Sequence, residues 1–187
     1  MPKEFPFLAD LAITRLINTF HCLFRDSLNT RLIGGADEPL YLPQGADQPY
    51  NAIYFNRDYI ASALHEVSHW CVAGSERRKK EDYGYWYAPD GRDAGQQQEF
   101  EKVEVKPQAI ERILSFACGQ PFRISADNLY AGNQINPEFA DAIHKQTLWY
   151  CENGLSSRAQ RLVLALAETF EQSAPLESTN YSREALK

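Results

Sequence analysis

The sequence predicts an α+β fold in which a small sheet packs on helices. Three observations predict it. Apolar residues recur at helical spacing over most of the chain. Three short β-prone pieces fall together between residues 30 and 55. The last of these runs directly into a helix carrying His65-Glu66-Val67-Ser68-His69-Trp70. A length of 187 residues is most simply one domain, long enough to bury a core. Residues 1–172 are expected to form it, with 173–187 as a polar, aperiodic tail prone to disorder.

Residues 8–28 carry Leu8, Leu11, Ala12, Leu16, Phe20, Leu23 and Phe24 at helical spacing, which predicts a first amphipathic helix. His21 on it reads as a packed or surface histidine. Gly34-Gly35, Pro39, Pro43, Gly45 and Pro49 then punctuate the candidate strands Arg31-Leu32-Ile33, Leu40-Tyr41-Leu42 and Ala52-Ile53-Tyr54-Phe55. Asp58 is the expected N-cap of a helix over 59–72, with Ile60, Leu64, Val67 and Cys71 as its apolar stripe and Gly74 as its stop. Residues 96–105 and 107–118 read as helix, with a kink or restart at Lys106 forced by Pro107, which lacks a backbone donor. Gly119 ends that element, and Pro121-Phe122-Arg123-Ile124 is a candidate strand before a polar loop over 125–136. Asn136-Pro137 opens a helix to about residue 153, closed by Gly154. His144 on it reads as structural. Ser156 caps a last helix with Ala159, Leu162, Leu166 and Phe170 on its buried face.

A net charge of −6 argues against a general nucleic-acid binder, because it offers no surplus of cations for phosphates. No apolar run approaches membrane-spanning length. Met1-Pro2-Lys3-Glu4 lacks the basic-then-apolar pattern of a leader, and the four cysteines are far apart, as free thiols in a reducing compartment are. A cytoplasmic location is expected.

Two histidines four apart project from one helix face, so both imidazoles of His65 and His69 can reach one metal ion, with Glu66 at its edge. The bland alternative is a helix with two satisfied histidines. A third protein ligand would leave positions open for chemistry. Phe100 and Val103 define an inward helix face, and Glu104 lies one turn from Phe100, which makes it the preferred third ligand. Glu101 comes second and Glu111 third. Two histidines and a carboxylate serve two chemistries: zinc with Glu66 as general base, as in a metallopeptidase, or ferrous iron with sites for dioxygen. The run Arg77, Arg78, Lys79 and Lys80 reads either as a solvated loop or as a functional patch beside the metal helix.

Together, His65-Glu66-Val67-Ser68-His69-Trp70, the stretch Tyr85-Trp86-Tyr87-Ala88-Pro89-Asp90-Gly91-Arg92 and the stretch from Glu99 to Ala109 resemble the bacterial elongation factor P hydroxylases, over roughly residues 7–170. The resemblance implies a zincin/minigluzincin-like (metalloprotease-like) single domain and hydroxylation of the β-lysylated lysine of elongation factor P. It implies a metal held by His65, His69 and Glu104, with Fe(II) as the working metal, zinc as an occupant on purification and dioxygen as cosubstrate. The chain lacks the His-x-Asp pattern of the 2-oxoglutarate oxygenases, so that cosubstrate is not expected. Glu66 is then a catalytic candidate, orienting a water or ligand or assisting proton transfer. Trp70, Tyr85 and Trp86 are candidates to line the approach of the modified lysine, with core packing as the alternative. Arg77, Arg78, Lys79 and Lys80 are candidates to dock the acidic partner protein. No nucleic acid or membrane partner is expected.

Overall fold

The structure, a computed structural model, describes residues 6–83, 93–125 and 135–186. Helix α1 (Pro6–Phe24) leads to a three-stranded sheet of β1 (Thr30–Ala36), β2 (Leu40–Leu42) and β3 (Asn51–Asn56), followed by α2 (Ile60–Val72). After a short 3-10 turn at Arg77–Lys79 come α3 (Ala94–Ala117), α4 (Pro137–Asn153) and α5 (Ser157–Thr169). Among the described residues no helix is long and apolar enough to cross a membrane.

Strand β3 is central, parallel to β1 and antiparallel to β2, with Leu32 opposite Ile53 and Leu40 opposite Tyr54. Leu32, Ala52, Ile53 and Phe55 turn to the core, where α1 covers β1 and α2 covers β3. The Gly34-Gly35 pair makes this junction. The β1–β3 register shifts between Ile33 and Ala36. A Cβ on Gly34 would sit 2.8 Å from both the Asp58 carboxylate and the Phe55 ring, and Gly35 has a φ of +86°, which favours glycine. The Gly35 N–H donates to Arg57 O at 2.7 Å and so ties β1 to the turn that starts α2.

Several expectations need correction. Leu11 on α1 is largely exposed, whereas Ile13 is buried on the inward face. Asp58 does not cap α2. Tyr59 holds that position without a side-chain cap, and the Ser62 hydroxyl instead accepts from Asn56 N–H at 3.0 Å. Pro107 neither restarts nor ends its helix, because α3 runs through it after a capping box between Asp93 and Gln96. Val103, whose carbonyl loses its helical donor to Pro107, is 51% exposed, so water can take the donor's place and Val103 is no part of the inward face. Residues 121–125 form no strand. The caps Asn136 and Ser156 and the stops at Gly119 and Gly154 are as expected.

The stretch 173–186 is packed rather than loose, because its few apolar residues find places in the core. Tyr181 and Leu186 are buried, Tyr181 lies edge-on to Phe116 at 5.6 Å, and Arg112 of α3 donates to Ser182 O. All four cysteines are free; Cys71 and Cys118 are buried and Cys22 is exposed.

Candidate metal centre

Helix α2 is wedged between the sheet and α3. Its Leu64, Val67 and Cys71 are buried, which leaves His65 and His69 on the flank facing α3. From α3, Phe100, Glu104, Gln108 and Glu111 share one inward face at helical spacing, and all four are buried. The seam between the two helices is therefore polar where a core would normally be apolar.

The donor atoms of His65, His69 and Glu104 lie within 4.8 Å of one another. The two Nε2 atoms are 3.2 Å apart, and Glu104 Oε1 is 3.1 Å from His69 Nε2. The second Glu104 oxygen is 4.0 Å from His65 Nε2. Two ligands each about 2 Å from one tetrahedral ion are themselves about 3.3 Å apart. Two imidazoles and a carboxylate suit zinc and ferrous iron alike. The donor set therefore fits a divalent metal in both spacing and chemistry.

Glu104 is 1% exposed. Burial alone would raise its carboxyl, but the charge and hydrogen bond of His69, then His65 and Gln108, hold it at about 2. For His65, burial works against the charged form, yet the charge and hydrogen bond of Glu111, followed by Glu104 and Glu66, lift it well above the ordinary value. The seam thus concentrates negative charge on the imidazoles, where a cation is stabilised. Glu66 is raised, first by burial, with His65 and His69 pulling the other way.

Glu111, considered from sequence as a third ligand, occupies a different position. Its Oε2 is 2.9 Å from Nδ1 of His65, the ring nitrogen turned away from the other donors. A hydrogen bond there leaves Nε2 as the metal-facing nitrogen and fixes the ring. Gln108 donates to Glu104 Oε2 at 3.2 Å and to Ser125 O at 2.7 Å, anchoring the carboxylate to the chain beyond α3. The sequence reading missed Gln108, although its spacing of four from Glu104 was the available signal. Glu101 accepts from Asn136 at 2.7 Å, outside the cluster. His21 accepts Leu32 N–H, and His144 sits by Arg112 at 3.4 Å.

An open cleft adjoins the donors, bordered by Glu66 and His69 at one side and by Arg77, Arg78 and Asp82 at the other. Tyr41, Ile53, Trp70 and Ala73 complete its lining. Trp70 is chiefly a core residue, 4% exposed, with its ring edge-on to Phe20 at 5.4 Å and to Phe24 at 5.0 Å. Arg158 stacks over it and donates to the carbonyls of Trp70, Cys71 and Ala73, the orphan acceptors at the end of α2. Arg77 pairs with Asp82, and Arg78 donates to Ala73 O, so these two cations shape the cleft wall instead of standing in solvent. Lys79 and Lys80 are exposed, Lys79 pairing with Glu76 at 2.7 Å. Tyr85 and Trp86 lie outside the described residues.

A sequence model of the elongation factor P hydroxylases matches residues 19–181. The chain belongs to that family. It is also 52% identical, over 151 residues, to the elongation factor P lysine hydroxylase of Haemophilus influenzae, a match that covers 81% of this chain and 85% of that relative. The matched span of the family takes in α2, α3 and the packed stretch up to Tyr181, so the whole seam lies within it.

Proposed function

We propose that this protein hydroxylates the β-lysylated lysine of elongation factor P, using dioxygen at a centre held by His65, His69 and Glu104. The observation that carries the reading is the 52% identity to a named lysine hydroxylase across most of both chains. The convergence of two imidazoles and a buried carboxylate supports it. Ferrous iron, held by that triad, would supply the electron transfer to dioxygen that attack on a saturated carbon–hydrogen bond requires. Glu111 fixes the His65 ring, Gln108 fixes Glu104, and the neighbouring cleft receives the side chain to be modified. The reaction places one oxygen atom on carbon and releases the other as water, with two electrons from an external reductant and two protons from solvent. The fold is read as zincin/minigluzincin-like, since an HExxH helix lies against a small sheet and the third donor comes from the next helix.

A second reading, zinc peptidase, rests on Glu66 alone: it borders the cleft beside His69, where a general base for hydrolysis would stand. Intact mass of β-lysylated elongation factor P after incubation with the protein, Fe(II), reductant and air separates the two. The expected result is a gain of one oxygen that disappears without air and with His65→Ala. Absence of that gain, with substrate fragments appearing under zinc, would replace it with the peptidase.

A further inference from the structure

Insertion of oxygen into a carbon–hydrogen bond needs no hydrolytic base, so under the hydroxylase reading the carboxylate between the two histidines can serve binding as well as the orienting or proton-transfer role expected from sequence. Glu66 borders the cleft, and among the described residues it makes no hydrogen bond or ion pair. The other carboxylate of the cleft, Asp82, already faces the guanidinium of Arg77. The Tyr41 hydroxyl is likewise engaged, donating to Arg78 O at 2.9 Å. Between these groups the wall is apolar, formed by Ile53, Trp70 and Ala73. An apolar wall ending at one partly desolvated carboxylate that has no hydrogen-bond or ion-pair partner of its own among the described residues suits a methylene stem that ends in an ammonium.

We infer that Glu66 is the receptor for an ammonium group of the substrate side chain, holding it in the cleft so that a carbon of the stem lies by the metal donors. The inference takes its substrate from the hydroxylase reading but concerns binding, which is measured apart from turnover. A charge-assisted hydrogen bond in such a site is worth about tenfold or more in affinity.

The test is calorimetric titration of the metal-loaded protein under nitrogen, so that no turnover occurs. The probes are a short peptide bearing the β-lysylated lysine and the same peptide with its side-chain amines acetylated. The wild-type protein is expected to prefer the charged peptide by at least about tenfold. Glu66→Gln should reduce that preference to about threefold or less, with metal content and melting temperature unchanged. Asp82→Asn, which removes the paired carboxylate, should keep it. Equal binding of both peptides by the wild type overturns the inference, as does full preference in Glu66→Gln. A loss of preference in Asp82→Asn alone overturns it as well. Retained preference in a protein that adds no oxygen would instead sink the hydroxylase reading and leave the receptor standing.

Discussion

Along the seam between α2 and α3 the charged side chains are buried and hold one another. Along the loop from Gly74 to Asp82 they are half-exposed or exposed, and Arg77, Arg78 and Lys79 hold the backbone or a near neighbour. Glu104 and Glu111 reach His69 and His65 across two helices, whereas Arg77 and Lys79 find partners five and three residues away. The difference decides what the loss of a partner costs. In the seam, a charge deprived of its partner meets a low dielectric and no water, so each group is bound to its neighbours' state. In the loop, water replaces a lost partner cheaply, so a change there costs the fold little.

The comparison is sharpened most by removing a donor. His65→Ala or Glu104→Ala should lose both metal content and oxygen incorporation without unfolding, measured by metal analysis and product mass. Glu101→Ala, on the same helix but outside the seam, should lose neither. A large drop in melting temperature for His65→Ala would instead mark a structural metal. Trp70→Ala tests the apolar side of α2. Removing a ring packed on Phe20 and Phe24 should cost about 3–5 kcal/mol in denaturant unfolding, while a cost under about 1 kcal/mol would show the ring to be a cleft lining and no anchor.

A smaller effect is expected behind His65. Glu111→Gln should weaken metal affinity by about 10–100-fold in competition titrations. Affinity equal to wild type would deny the hydrogen bond any orienting role. In the loop, the double change Lys79→Glu with Lys80→Glu should raise the apparent KM for elongation factor P only a few-fold, and the effect should fade as salt rises. Unchanged kinetics at low salt would remove these lysines from docking.

The amphipathic stripes, the three strands and the caps at Asn136 and Ser156 were all legible, because local spacing and cap chemistry fix them. The histidine pair was legible for the same reason, since four residues on a helix return a side chain to one face. Glu104 was reachable through its spacing from Phe100, although Val103 pointed to the wrong boundary for that face. Pro107 was misjudged because its freed carbonyl could go to water, which depends on which side of α3 is exposed. Gln108 was missed although its spacing from Glu104 offered a signal, and the role of Glu111 was not legible. Glu111 shares α3 with several other glutamates, and no local rule says that it meets the far side of an imidazole on another helix.

The sequence by itself determined the helix that carries His65 and His69, the face of that helix they share and the family to which the chain belongs. Only the tertiary structure brought the Glu104 carboxylate beside the two imidazoles, set Glu111 against the far nitrogen of His65 and held Trp70 in the core. It also decided that residues 173–186 pack onto α3. The reason is common to all of these: they depend on how separate elements cross. A crossing is set by the packing of the whole core, which no stretch of sequence specifies alone.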